Sequence, residues 1–306
     1  MRFAVIGVGG VGGPFGAALA KAGYDVTLVA RGAHLAAMQR DGLRIVGAHD
    51  VHVSPVQATD DTAAVGPVDA VLFAVKNFGV EAAAKALPPL LKPGTGVIAL
   101  QNGVDAEERL GRLIGAEYVM GGVAEVSAAI QEPGVIRQVS DYARIRFGEM
   151  DGRMSARGEA MLAAFRKAGL DATFTDDIQR VLWTKFVMLA TTSGLTSATR
   201  GTFGALRSDP DIRALMEAGV AEAVAVGRAK GTDLGPDAVA RTMAWIDTLP
   251  AQGRASMAVD LERGNRLELP WLSGTLVRLG KELGVPTPVH AFFCAVLKLH
   301  QDGKPA

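Results

Sequence analysis

With a single cysteine, Cys294, in 306 residues, the chain cannot form an internal disulfide. No Cys/His cluster has the spacing of a zinc site, so no metal is expected, and a reducing compartment suits such a chain. Net charge is missing too: 32 Lys and Arg stand against 32 Asp and Glu. That balance argues against a nucleic-acid surface spread over the protein but leaves room for a local basic pocket. Nor is there a charge-free apolar run of the roughly 20 residues that a membrane-spanning helix needs. The opening segment, residues 1–10, has no basic cluster, and glycines interrupt its apolar run, so it does not read as a signal sequence. The expectation is a soluble, cytoplasmic protein with neither nucleic acid nor membrane as a partner.

What is present is core material. Hydrophobic residues make up 49% and charged residues 21%, and the length suits about two domains. In the first half, residues 3–6, 25–29, 70–75, 97–100 and 145–147 read as strands with little polar alternation, as in a parallel sheet covered on both faces. Residues 44–53 and 135–139 are shorter strand candidates. Helical spacing over 11–22, 79–87 and 105–114 completes the strand–helix–strand rhythm of a doubly wound α/β fold. Beyond about residue 176 helical patterns take over, at 177–191, 210–230, 236–248, 271–283 and 289–300. Asp209 before Pro210 and Gly231 after it are start and stop signals. The reading is a Rossmann-type α/β domain over 1–172 and an all-α domain over 173–306, with 302–306 as a frayed tail.

Gly7-Val8-Gly9-Gly10-Val11-Gly12 matches G-x-G-x-x-G between a strand and a helix, the context such a motif requires. In a dinucleotide site the first glycine permits the tight turn, the second admits the pyrophosphate to the backbone, and the third lets helix and strand pack closely. The helix N-terminus then offers amide hydrogens and a positive dipole end. Glycine-rich turns also serve structure alone. At the tip of the second strand stands Arg31, where an NAD site usually has an acidic residue. An arginine there can pair with a 2′-phosphate, which points to NADPH; its other reading is a solvated surface arginine.

Lys76 follows one buried strand, and Gln101-Asn102-Gly103 follows another, so both stand at carboxyl ends where open α/β sheets bind ligands. An amide at that edge can orient a nicotinamide or a substrate oxygen. Read separately, Lys76 is equally a solvated helix start and Asn102-Gly103 a turn. Lys185 lies in the largely apolar stretch 181–189. Such a lysine either snorkels to the surface or sits in a cleft, where desolvation lowers its pKa and readies a proton for a developing alkoxide. Periodicity alone favours snorkelling.

Gly7–Gly12, Arg31, Lys76, Gln101-Asn102-Gly103, Trp183-Thr184-Lys185 and the series Ser256-Met257, Asp260, Gly264, Glu268 occur in an order that resembles the ketopantoate reductase (2-dehydropantoate 2-reductase) family, from residue 1 to about 300. The resemblance implies a Rossmann domain joined to a helical domain with the active site between them, and NADPH-dependent reduction of a 2-oxo acid. It implies Lys185 as proton donor, Asn102 positioning substrate and nicotinamide, and Lys76 helping to hold cofactor. Ser256 looks like the serine that binds the substrate carboxylate, and Glu268 like the carboxylate that closes over the cofactor ribose. Without the family, Ser256 reads as a helix hydroxyl and Glu268 as a solvated charge.

The chain also departs from that pattern. Where the family usually has an asparagine one turn after its lysine, Leu189 stands; another turn on, Ser193 replaces a second asparagine and is left as the substrate-facing polar residue. Gly253 occupies a further asparagine position, and Leu269-Pro270 follows Glu268 without the usual acid. Loss of polar partners redirects a pocket's choice, toward an oxo acid less hydroxylated or more apolar than ketopantoate. Two rival readings are a 3-hydroxyacid or 6-phosphogluconate type of dehydrogenase and a non-catalytic NADPH sensor. The apolar helices of the second domain make a homodimer plausible.

Overall fold

The computed structural model describes residues 1–304. They divide into two compact units, one of Met1–Gln101 with Ala106–Ile178, the other of Asn102–Asp105 with the chain from Gln179 onward.

In the first unit the elements follow as β1 (Arg2–Ile6), α1 (Gly12–Lys21), β2 (Asp25–Val29), α2 (Gly32–Asp41), β3 (Leu43–Gly47), β4 (Val51–Val53), β5 (Gln57–Thr59), β6 (Ala70–Phe73), α3 (Val80–Ala84), β7 (Gly96–Ala99), α4 (Ala106–Ile114), β8 (Val119–Glu125), β9 (Ala128–Glu132), β10 (Val135–Gln138), β11 (Arg144–Glu149), α5 (Ala156–Lys167) and β12 (Asp171–Phe174). Eight strands form one sheet in the order β12-β11-β8-β7-β6-β1-β2-β5. All its pairings are parallel except β11 with β8. Phe3–Ile6 of β1 and the uniformly apolar β6 and β7 are its buried centre, as expected of a sheet covered on both faces. A division after residue 172 would cut β12, which pairs with β11 from Arg144↔Asp171 to Phe147↔Phe174.

The segment 44–53, expected as one strand, is the antiparallel pair β3–β4. It belongs to a second sheet, β4-β3-β10-β9, that no local pattern announces, because β3 pairs in parallel with the distant β10. Glycines let α1 pack closely on both sheets. A Cβ on Gly16 would press on Leu28 Cδ2 at 2.9 Å and on Val5, in the large sheet; one on Gly13 would collide with Ile136 Cδ1, in the small one. Phe15 of the same helix is fully buried, and truncating such a side chain costs about 3–5 kcal/mol.

The second unit is helical: α6 (Ile178–Thr199), α7 (Phe203–Ser208), α8 (Pro210–Ala229), α9 (Ala238–Thr248), α10 (Ser256–Arg263), α11 (Ser273–Leu283) and α12 (Pro288–Leu297). The helix expected to stop at residue 191 runs on to Thr199. Thr191, Thr192, Thr196 and Thr199 donate their hydroxyls to the carbonyls of Val187, Met188, Thr192 and Leu195, at 2.7–3.1 Å. These four threonine hydroxyls are therefore satisfied inside the helix and can be buried. Asp209 caps α8, its Oδ1 accepting from the amides of Asp211 and Ile212 at 3.0 Å. Fraying of the tail is not seen over residues 302–304: Lys304 N donates to Gly264 O at 2.9 Å, and the preceding Gln301 O accepts from Leu267 N. Residues 305 and 306 of that tail lie outside the described residues.

Candidate active site

The glycine-rich turn joins β1 to α1, and its glycines are needed for different reasons. Gly7 has φ +95°, which side chains rarely adopt, and a Cβ there would stand 2.9 Å from Val75 N. A Cβ on Gly10 would strike the Ala128 carbonyl, and one on Gly12 the Gly7 carbonyl and Val5 Cγ1. Gly9 differs: nothing lies within 4 Å of the place its Cβ would take, and its φ is not in the left-handed region. Neither strain nor packing asks for glycine there. An exposed backbone face beside a helix start does fit the approach of a pyrophosphate. Val8 is buried and Val11 half-buried, anchoring the turn. Helix α1 begins without a side-chain cap at Val11 and without an acid in its first turn. Its amide hydrogens and positive dipole end thus face no competing protein carboxylate there.

Arg31 stands two residues after β2 and immediately precedes α2, exposed, and no carboxylate pairs with it among the described residues. One turn on, His34 accepts a hydrogen bond from Gly134 N at 3.0 Å through Nδ1. Burial lowers the His34 pKa, and the Val8 backbone partly offsets this. A neutral imidazole therefore ties α2 to the β9–β10 turn beside the glycine loop. Sequence reasoning missed it.

At the carboxyl end of β6, Lys76 is exposed and the next residue, Asn77, is fully buried. Arg109 of α4 holds that turn, donating to Asn77 O at 2.7 Å, Asn77 Oδ1 at 3.1 Å and the Glu81 carboxylate. Asn77 and Arg109 were also missed; a polar residue directly after a buried strand and its lysine was the available signal. At the end of β7, Gln101 is buried and its Nε2 donates to Phe73 O at 2.9 Å and Val75 O at 3.0 Å.

In the second unit, α6 carries Lys185 among buried Trp183, Phe186 and Val187, with its own side chain half-buried. Lys185 Nζ donates to Asn102 Oδ1 at 3.1 Å. The snorkelling that periodicity favours is not what the side chain does. Gly103, next to Asn102, has φ +126° and lies 3.3 Å, measured from its would-be Cβ, from Trp271 O.

Further along α6, Leu189 is half-buried against the helical core, and Ser193 is fully buried with no hydrogen-bond partner for Oγ among the described residues. Ser256 opens α10, exposed, with no side-chain cap on that helix. Glu268 is 4% exposed, so it is not a solvated charge. Gly253 has a packing reason to lack a side chain, since a Cβ would stand 3.0 Å from Pro250 O and 3.1 Å from the Phe203 ring. The geometry thus joins Lys185 to Asn102 and assembles an anion-ready turn. It does not by itself assign ligands to Lys76, Ser193, Ser256 or Glu268.

Comparison with known proteins gives the same grouping. Residues 3–152 match the family model described as ketopantoate reductase PanE/ApbA, and residues 177–301 match the model of that reductase's C-terminal part. The chain is 31% identical to a 2-dehydropantoate 2-reductase of Mesorhizobium japonicum, with 94% of each chain covered. It is 32% identical to a 2-dehydropantoate 2-reductase of Archaeoglobus fulgidus, again over 94% of each. Among solved structures, a 2-dehydropantoate 2-reductase of Geobacter metallireducens superposes with a TM-score of 0.91 at 29% identity, covering 98% of this chain and 99% of that one.

Proposed function

The chain belongs to the ketopantoate reductase family, and on that premise we propose that it uses NADPH to reduce a 2-oxo acid to the 2-hydroxy acid, ketopantoate to pantoate or a close relative. The observation that carries the reading is the 3.1 Å hydrogen bond from Lys185 Nζ to Asn102 Oδ1. It holds an amine, on an otherwise apolar helix, beside an amide that can orient a carbonyl.

The glycine turn and Arg31 of the first unit take the phosphates of the cofactor. Gly7, Val8, Gly9, Gly10, Val11 and Gly12 receive the pyrophosphate, and the open face at Gly9 supports this. Arg31 pairs with the 2′-phosphate and thereby selects NADPH. Lys76, Asn102 and Glu268 complete the cofactor contacts. When bound, the dihydronicotinamide supplies a hydride to the ketone carbon. Lys185 gives a proton to the ketone oxygen as the C=O π bond opens, leaving a C–O–H group and a neutral amine that solvent reprotonates. Asn102 orients the carbonyl, and Ser256 and Ser193 contact the rest of the substrate.

Half-buried Leu189 one turn from Lys185, and the crowding at Gly253, support a substrate less hydroxylated or more apolar than ketopantoate. Phe292, Val296 and Leu299, exposed by 50%, 44% and 93%, support a homodimer through the helical unit, which sedimentation tests. No helix among the described residues is long and apolar enough to cross a membrane, in keeping with a cytoplasmic enzyme. The deciding experiment is NADPH oxidation over a panel of 2-oxo acids with NADH as control. No turnover with any of them would sink the reading.

A further inference from the structure

Gln101 carries an asymmetry that the reaction as proposed does not use. Both hydrogens of its side-chain amide are committed, to Phe73 O at 2.9 Å and Val75 O at 3.0 Å. Two carbonyl acceptors on one side fix which way the amide points, because an oxygen turned toward them would have nothing to accept. The other atom, Oε1, is buried and has no partner among the described residues. Leaving an amide oxygen buried and unpaired is unfavourable enough that native proteins seldom do so without a role for it. Gln101 therefore presents one fixed acceptor that lacks a donor.

Its place on the sheet says which donor fits. The strand order runs β7-β6-β1-β2. The glycine turn follows β1, and Arg31 follows β2 on one side of it; Gln101 follows β7 on the other. Neighbouring strands are about 4.8 Å apart, so Gln101 lies about 10 Å from the turn, on the side away from Arg31. A dinucleotide whose pyrophosphate sits on the turn and whose adenosine phosphate meets Arg31 sends its nicotinamide toward that side.

Resting on the NADPH reading above, we infer that Gln101 Oε1 accepts a hydrogen bond from the carboxamide NH2 of the nicotinamide and so sets the rotation of the ring. The amide is stapled to β6 through its nitrogen, which leaves the oxygen pre-oriented and lowers the entropy cost of the contact.

The test is equilibrium binding, which needs no turnover. NADP+ is titrated against its 3-acetylpyridine analogue, in which a methyl group replaces the carboxamide NH2, and against 2′-phospho-ADP-ribose, which has no nicotinamide. Wild type is expected to bind NADP+ about 3- to 10-fold more tightly than the analogue, the worth of one hydrogen bond. In Gln101→Met that preference should shrink to within about 2-fold, with 2′-phospho-ADP-ribose bound as in wild type. Equal binding of NADP+ and analogue by wild type overturns the inference while the NADPH reading stands, and so does a preference that survives in the Met variant. Failure of wild type to bind NADP+ at all overturns both. If the Met variant does not fold, Gln101→Leu takes its place in the same comparison, with the same two outcomes.

Discussion

Lys185 Nζ and Asn102 Oδ1 are hydrogen-bonded at 3.1 Å although 83 positions separate them in the chain. One belongs to an apolar stretch of α6, the other to the short link after β7, and both fall within the second unit. An ammonium donating to a side-chain amide has its direction set by that bond.

Replacing Lys185 by alanine should lower turnover by about 100- to 10,000-fold, the usual worth of a positioned proton donor. The Kd for NADPH, followed by fluorescence titration, should stay within about 3-fold of wild type. Equal losses in binding and turnover would instead mark Lys185 as a cofactor contact.

Gly9 and Gly12 should separate binding from folding. In Gly9→Ala the new methyl enters open space, so the melting temperature should barely move, while NADPH affinity falls because the methyl occupies the place proposed for the pyrophosphate. In Gly12→Ala the methyl meets the Gly7 carbonyl and Val5 Cγ1, and stability should drop by about 1–3 kcal/mol in urea unfolding. If Gly9→Ala binds NADPH as wild type does, the pyrophosphate does not lie there.

Arg31→Ala should weaken NADPH by about 10- to 100-fold, the cost of losing charge-assisted hydrogen bonds to a phosphate. NADH, which lacks that phosphate, should be unaffected within about 2-fold, so the preference between the two narrows. Parallel losses for both dinucleotides would count against the assignment.

Stability should fall with acid through His290. Its Nδ1 faces Ser273 Oγ at 3.2 Å and its Nε2 faces Gly219 O at 3.0 Å, and it is fully buried. Burial lowers its pKa from 6.5 to about 4, the Gly219 carbonyl opposing. Between those values the unfolded chain holds the proton more readily, so the stability present above pH 6.5 is lost as pH falls toward 4. The full loss is about 3 kcal/mol. Glu222, which accepts from the amides of Val289 and His290, has a carboxyl raised by burial and works in the opposite sense. Urea unfolding at several pH values should show a flatter profile for His290→Gln than for wild type over this window. Matching slopes would remove His290 as the cause.

Local order made much of the fold readable. The β1–turn–α1 unit, the apolar β6 and β7 and the capped start of α8 each declare themselves within a few neighbouring residues. Elements with weak patterns did not: α2 opens on a glycine and buries only Leu35, Ala37 and Met38, β8 contains Gly121-Gly122, and α10 is only eight residues long. The small sheet was hidden because its strands gain their partners only from far along the chain.

Residue types and spacing by themselves determined a glycine-rich turn at a strand–helix junction, an arginine instead of an acid at the next strand tip, and candidate polar groups where buried strands end. Those features follow from backbone sterics and short-range periodicity, so one sequence suffices to read them. Only the tertiary structure decided that Lys185 meets Asn102, that Glu268 is buried, that Gly9 stands open while Gly12 is packed, and that Gln101 holds one oxygen without a donor. Such facts depend on which distant segments come into contact, and that is settled by packing the whole chain.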